Sequence, residues 1–243
     1  MTQNKKPLGD VSSSKSKSSP EKKSSKKKSK KSSSKVPKSK SNKKTKILAI
    51  GDIHGDTGLV KKLVEKTKKE NIDFVIIAGD LTFAEISTKN LIGPFIKENK
   101  KVLLIPGNHE SNATIDTLSE IYSGTRNIHG SYYISEGFGI FGAGGGDVIN
   151  ITPDKEIFSL LEKSHNKIKN NKGKKIMVTH MHPFGSKAEF SGFPGSKAIR
   201  KALKEFKPDI LITAHIHEAS GIEEILENAK VINVSRKPRV FEI

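Results

Sequence analysis

The feature that most constrains the fold is a set of five short apolar runs, each followed by residues able to bind a cation. The runs are KILAIGD (46–52), FVIIAGD (74–80), KVLLIPGNHE (101–110), KIMVTHMHP (175–183) and DILITAHIHE (209–218). Their length, their β-branched residues and the polar or Gly-rich turns after them predict buried β-strands. Periodic stretches between most of the runs predict helices at 59–70, 85–98, 154–170 and 196–206. Strands that alternate with helices favour an α/β fold with a largely parallel sheet.

Two further stretches have a different pattern. Residues 128–142 form short β-type runs broken by glycines, which predicts antiparallel strands. The C-terminal segment 223–243 also indicates short strands joined by turns.

The charge of the chain is distributed unevenly. Residues 1–46 carry 17 lysines against Asp10 and Glu21, so they hold +15 of the formal net charge of +18. With almost no apolar residues to bury, we expect a disordered Lys/Ser-rich tail over residues 1–45. Residues 46–243 are nearly neutral and long enough for one domain with a full core.

Composition also excludes several classes of protein. The chain has no cysteine, so disulfides and thiolate metal sites are excluded. No apolar stretch approaches the roughly 18–20 residues that span a bilayer, and the N-terminus lacks the apolar region of a signal peptide. We therefore expect a soluble, cytoplasmic protein.

The polar residues at the ends of the apolar runs are the candidates for chemistry. They are Asp52, His54, Asp80, Asn108, His109, His180, His182, His215 and His217. One Asp or His after a strand is usually a turn residue, but parallel strands would bring all of these to one sheet edge, where α/β proteins bind ligands. Clustered imidazoles and desolvated carboxylates are costly without a cation, which a metal supplies. His129 and His165 lie elsewhere, and we interpret them as structural.

The number and type of these side chains predict a pair of metal ions. About seven good ligands are too many for one ion and suit two ions that share a carboxylate. Aspartate, asparagine and histidine without cysteine favour Mn, Fe, Zn, Co or Ni.

Five motifs, in order and spacing, resemble the calcineurin-like metallophosphoesterase superfamily. They are GDIHG, the GD at 79–80, GNHE, THMHP and AHIHEASG, and the similarity covers about residues 46–235. The segment 194–221 is most similar to that of small single-domain archaeal and bacterial members. The resemblance implies a two-sheet β-sandwich flanked by helices, with a dinuclear metal centre at the strand ends.

The resemblance also implies individual roles. One ion would be held by Asp52, His54 and His217, the other by Asn108, His180 and His215, and Asp80 would bridge them. His109 would lie off the metals as a general acid or transition-state donor.

The chain departs from the family pattern three residues after the expected bridging aspartate. Many members carry an acid there that orients the catalytic histidine, whereas this chain has Phe83. Glu85 or Glu110 are the candidates to replace it, and Glu110 is also a possible supporting residue. His182 is expected to support a ligand or face the substrate, with a merely structural role as the alternative.

The leading hypothesis is therefore an enzyme that hydrolyses phosphomonoesters or phosphodiesters by attack of a metal-bridged hydroxide. One alternative is a metal-binding interaction scaffold without turnover. Another is a nucleic-acid-associated factor, because a lysine-rich tail can bind nucleic acid non-specifically through counterion release. The sequence leaves open the substrate, the metal, the oligomeric state and the role of the tail.

Overall fold

The computed structural model describes residues 44–243. The predictions of a disordered tail over residues 1–45 and of nucleic-acid binding by it therefore fall almost wholly outside the described residues. Among the described residues, no helix is both long and apolar enough to cross a membrane.

The described chain forms two mixed sheets. Its strands are β1 (Lys46–Ile50), β2 (Phe74–Ala78), β3 (Lys101–Ile105), β4 (Thr125–Asn127), β5 (Ser131–Ser135), β6 (Phe138–Ala143), β7 (Lys174–Thr179), β8 (Ile210–Thr213), β9 (Glu223–Leu226), β10 (Ala229–Asn233) and β11 (Arg239–Glu242). One sheet has the order β11-β1-β2-β3-β4 and the other the order β5-β6-β7-β8-β10-β9. The interior strands of both sheets run parallel, while β11, β5 and β9 are antiparallel edges.

Helices cover the outer face of each sheet. They are α1 (Thr57–Lys69), α2 (Gly93–Lys97), α3 (Asn112–Ile121), α4 (Asp154–Ile168) and α5 (Lys197–Phe206). The first three pack on the five-stranded sheet and the last two on the six-stranded sheet. Short 3₁₀ helices lie at Lys187–Ser191 and His217–Ala219.

Alternation along each strand explains the layering. In β1, Ile47 and Ala49 face the core between the sheets, whereas Leu48 and Ile50 face α1 and its neighbours. Both sets are fully buried, and each such aliphatic side chain contributes about 1.5–3 kcal/mol. The predicted two-sheet α/β sandwich flanked by helices is confirmed.

The predicted helix over 85–98 is wrong for most of its length, because only Gly93–Lys97 is helical. Pro94 lies in the first turn, where its missing N–H costs nothing, but in the interior of a longer helix it would remove a hydrogen bond. Ala84 and Glu85 have φ of 49° and 58°, which a right-handed helix excludes. Helix α3 is not among the predicted helices; Ser111 caps it by accepting from the Thr114 N–H.

Candidate metal centre

The loops that follow β1, β2, β3, β7 and β8 meet at one edge of the sandwich, where parallel strands of both sheets end. These loops carry the residues that the sequence analysis selects. The structure brings together all eight of the proposed ligands and acid: Asp52, His54, Asp80, Asn108, His109, His180, His215 and His217.

Asp52, His54 and His217 form the first cluster. The His54 and His217 Nε2 atoms are 3.3 Å apart, and they lie 3.8 and 3.5 Å from Asp52 Oδ1. Asp52 Oδ1 is buried and makes no hydrogen bond to any of residues 44–243. Two imidazole nitrogens and one orphaned carboxylate oxygen at this spacing suit a divalent cation.

His180 lies at the middle of the second cluster. Its Nε2 is 3.1 Å from Asn108 Oδ1 and 3.2 Å from His215 Nδ1. Asp80 Oδ2 lies 3.4 Å from the same nitrogen and 3.6 Å from His54 Nε2. The Asp80 carboxylate therefore stands between the two clusters, where a shared ligand would be.

The centre is short of positive charge. Asp52, Asp80 and His180 are 0%, 2% and 0% exposed. Burial raises the pKa of Asp80, but His180 outweighs this and keeps it below its usual range. Burial lowers the pKa of His180, yet Asp80 reverses the shift and raises it to about 9. Two buried carboxylates thus demand a cation beside them, and bound metal ions would replace the imidazolium in that role.

The backbone around the centre is unusual in the same places. Asp52, His54, Asp80 and His215 all have left-handed φ, at 54°, 48°, 51° and 70°. Such dihedral angles cost about 1–3 kcal/mol each and cluster at functional sites. Close packing accompanies them, since a Cβ on Gly107 would lie 2.0 Å from Asp80 Oδ1.

His109 lies at the side of the first cluster. Its ring is 4.7 Å from the His54 ring, edge to face, and stacks on Phe83 at 5.0 Å and 26°. Its backbone N–H donates to Asp80 Oδ1 at 2.9 Å, whereas its buried Nδ1 has no hydrogen-bond partner within residues 44–243.

Neither glutamate considered as a partner for His109 contacts its imidazole. Glu85 accepts from Ser111 and Thr114 at the start of α3. Glu110 is buried and accepts from the backbone N–H groups of Gly107, Leu81 and Thr82, so it ties the loops after β2 and β3 together. Among the described residues, then, neither glutamate hydrogen-bonds to the His109 ring, and Glu110 supports the loops of the centre and not that ring.

His182 stands apart from both clusters. It is buried, its Nε2 lies 3.3 Å from the Phe193 carbonyl oxygen, and its Nδ1 has no hydrogen-bond partner among the described residues. Burial lowers its pKa. The neutral ring thus supports the loop that carries Phe193, which lines the cavity over the centre.

One residue of the site was missed by sequence reasoning. Asp147 Oδ1 lies 2.9 Å from His215 Nε2, on the side of the ring opposite the nitrogen that faces His180. A signal for it was its position, since Asp147 follows β6 after a glycine run, as the other site residues follow their strands. Asp147 also lines a cavity of about 310 Å³ above the clusters, together with Val148, Phe193 and Glu218.

Comparisons with known proteins agree with this geometry. The model of the calcineurin-like phosphoesterase family matches residues 45–219. No curated protein sequence matches the chain.

Solved structures with the same fold include TT1561 of Thermus thermophilus, at 17% identity and a TM-score of 0.66, covering 82% of this chain and 99% of that one. Phosphopantetheinyl hydrolase of Mycobacterium tuberculosis is 14% identical with a TM-score of 0.55, over 79% and 89% of the two chains. A dimetal phosphatase of Danio rerio is 11% identical with a TM-score of 0.52, over 78% and 86%. Identities this low indicate a shared fold only.

Proposed function

The chain belongs to the calcineurin-like phosphoesterase family, and from this premise we propose that it hydrolyses phosphoesters with two divalent metal ions. The observation that carries the proposal is the position of Asp80, whose Oδ2 lies 3.6 Å from His54 Nε2 in one cluster and 3.4 Å from His180 Nε2 in the other. A carboxylate between two ligand sets is what a bridged pair of ions requires.

The proposed ligand sets follow the two clusters. Asp52, His54 and His217 would hold one ion, Asn108, His180 and His215 the other, and Asp80 would bridge them. The pKa values of His54 and His215 are lowered, chiefly by burial, which favours the neutral imidazole that binds metals. Mn, Fe, Zn, Co and Ni all suit these nitrogen and oxygen ligands.

When bound, the two ions would activate water for attack on phosphorus and neutralise the charge that develops on the phosphoryl oxygens. The protein's own task is to orient the ester and to protonate the departing oxygen. His109 is the side chain we assign to this second task, because its ring borders the first cluster, 4.7 Å from the ring of His54, and belongs to neither proposed ligand set. Phe83, stacked on that ring, limits its rotation.

The test is hydrolysis of aryl phosphate monoesters and diesters by protein supplied with Mn²⁺. We expect activity that falls by at least 100-fold in His54→Ala and Asp80→Asn. Asp116→Asn, an exposed aspartate of α3, is the control and should retain activity. Undiminished hydrolysis in the two site variants would refute the proposal, and two bound ions without hydrolysis of any ester would favour the scaffold.

The uneven charge of the chain supports a second activity. Residues 1–46 hold +15 of the net +18, and this density of lysine favours non-specific attachment to nucleic acid. Such attachment is compatible with the phosphoesterase and would bring it to a polyanionic partner.

A further inference from the structure

A second cleft adjoins the metal centre. It measures about 480 Å³ and shares His54 with the cavity over the proposed ions. That volume is in the range of small-molecule sites. Its other lining residues are Gly55, Thr57, Phe83, Ile86, Ser87, Lys89 and Asn90. The centre therefore opens on this side along Phe83 and the loop that follows β2.

The loop that follows β2 contains a tight turn with a strained backbone. The Ile86 N–H donates to the Phe83 carbonyl at 3.1 Å, and the two residues between them have left-handed φ. These are features of a type I′ turn, which normally takes glycine or asparagine at both central positions. Glu85 holds the turn by accepting from the Ser111 N–H at 2.7 Å and from its hydroxyl at 2.8 Å. These hydrogen bonds offset the strain of the turn, whose first and last residues, Phe83 and Ile86, both line the cleft.

Phe83 connects this cleft to the chemistry. Its ring stacks on His109, the proposed proton donor, and lies edge to face with His54 at 6.0 Å. Even so, 53% of Phe83 is exposed, and 77% of Ile86. A group that leaves with a proton from His109 would thus lie next to an open aromatic face.

The cleft also has polar lining residues. Thr57, Ser87, Lys89 and Asn90 line it, and the Ser87 hydroxyl oxygen accepts from the Lys89 backbone N–H at 3.2 Å. Lys89 makes no ion pair with a carboxylate within residues 44–243. An acyl chain would offer these polar groups no hydrogen bond, whereas a flat ring with acceptors on its edge could stack on Phe83 and also hydrogen-bond to them.

We propose that this cleft binds the leaving group of the ester and that the leaving group is a nucleoside, with its base on Phe83 and its polar edge toward Lys89 and Asn90. The inference rests on the proposed function and narrows its substrate class to nucleotides. Stacking of a base on an aromatic side chain is sequence-tolerant, so we expect little discrimination among the four bases.

The decisive comparison is between AMP and ribose 5-phosphate, which lose the same primary alkoxide and differ at C1′, where one carries adenine and the other a hydroxyl. If the protein cleaves diesters alone, the methyl esters of the two compounds replace them, and the product measured is adenosine or ribose, not methanol. We expect kcat/KM to favour the adenosine compound by about tenfold or more. Both substrates depend equally on His109 and the ions. The ratio of their kcat/KM values therefore measures the contribution of contacts between the cleft and the base.

Variants assign the preference to its residues. Phe83→Leu and Lys89→Met should lower the ratio toward one, while Phe83→Tyr, which keeps the aromatic face, should preserve it. Phe190→Leu, an exposed aromatic outside the cleft, is the control and should leave the ratio unchanged. A ratio near one in the wild type, or one that these variants do not move, overturns the inference.

A binding measurement separates failure of the cleft from failure of the enzyme. Calorimetric titration with adenosine requires no turnover, and we expect binding that Phe83→Leu weakens several-fold. Adenosine binding without hydrolysis of any phosphoester would contradict the proposed function but keep the cleft. Hydrolysis of simple esters without adenosine binding or base preference would support the proposed function and overturn the proposal for the cleft.

Discussion

Asp147 shows how one carboxylate outside the proposed ligand set fixes the direction of a histidine. A histidine that binds a metal almost always donates its other ring N–H to a partner, which fixes the tautomer and ring orientation and raises ligand basicity. Here Asp147 Oδ1 holds His215 Nε2 at 2.9 Å, which leaves Nδ1 directed to the second cluster. The interaction therefore sets both the tautomer and the orientation of the ring.

Asp147→Asn tests this role. An amide can still accept one hydrogen bond but carries no charge, so we expect Mn²⁺ affinity to fall about 10- to 100-fold. Calorimetric titration of the metal measures the effect without reference to activity. Asp116→Asn serves as the control on α3, and equal affinities for wild type and Asp147→Asn would show that Asp147 does not orient His215.

His129 gives a pH dependence away from the proposed ligands. Its Nδ1 accepts from the Gly144 N–H at 2.9 Å, which requires the neutral ring. Burial lowers its pKa, Asp116 opposes the shift and Lys163 adds to it. A histidine with a lowered folded pKa contributes stability that is present above its unfolded pKa of about 6.5 and is lost as pH falls below it.

We therefore expect the Tm of the wild type to fall between pH 7.5 and pH 5.5 more steeply than that of His129→Gln. Glutamine offers a neutral acceptor to Gly144 at every pH, whereas one histidine proton contributes at most about 1.4 kcal/mol per pH unit. Calorimetry over this range measures the difference. Burial also lowers the pKa of His165, but this residue is present in both proteins, so its contribution to the difference in Tm cancels. Parallel curves of Tm against pH for the two proteins would contradict the prediction.

At the scale of elements, the loop after β2 carries the clearest backbone strain outside the ligands. A left-handed conformation costs a non-glycine residue about 1–2 kcal/mol, and a glycine avoids this cost. Glycine also raises the entropy of the unfolded chain, which cancels part of the stabilisation. Ala84 is exposed and has a φ of 49°. Ala84→Gly should therefore raise the free energy of unfolding by about 0.5 kcal/mol. Ala84→Val should lower the free energy of unfolding by about 1–2 kcal/mol, because a β-branched residue fits this conformation poorly. Urea unfolding gives both values, and effects of the same sign would exclude the turn.

That loop also marks where sequence reasoning stops. Apolar residues such as Leu91, Ile92 and Phe95 have helical spacing, and the pattern alone predicts a helix from residue 85. The pattern says nothing of the Glu85 side chain, which α3 engages only after the chain has folded. A hydrogen bond between residues 26 positions apart overrides local propensity.

The strands were easier to predict for a physical reason. A strand buried on both faces must be apolar at nearly every position, so FVIIA is evident as β2 without its neighbours. Polar residues directly after such runs then indicate the shared edge of the sheet. Asp147 gave a weaker signal, because it follows β6 only after three glycines and the β6 sequence FGIFGA, half glycine and alanine, lies in a stretch predicted to be antiparallel.

At the scale of the whole molecule, the proposed centre joins the two halves of the sandwich. The five-stranded sheet presents Asp52, His54, Asp80 and Asn108, and the six-stranded sheet presents His180, His215 and His217. Each proposed ion would take ligands from both sheets, so metal binding and the packing of the sheets support each other. The apolar core between the sheets, including Ile76 and Val178, sets the spacing on which the ligand distances depend.

The lysine-rich segment contributes most of the net charge of the chain and none of the proposed ligands. Removal of residues 1–43 should leave hydrolysis of small phosphoesters unchanged, since none of the proposed ligands lies there. It should lower the affinity for DNA and RNA, because each neutralised phosphate contributes about −0.9 to the slope of log K against log salt for B-DNA.

Binding titrations of full-length and truncated protein at about 50 to 200 mM salt test this. Full-length protein that contacts about six to ten phosphates should lose about 10³–10⁵ in affinity across the range, and the truncated protein far less. The tail has no aromatic residue for base stacking, so duplexes of unrelated sequence should bind alike. An equal slope for both proteins would mean that residues 44–243, with a formal charge of only +5, bind nucleic acid by themselves, and the tail would then have no part in it.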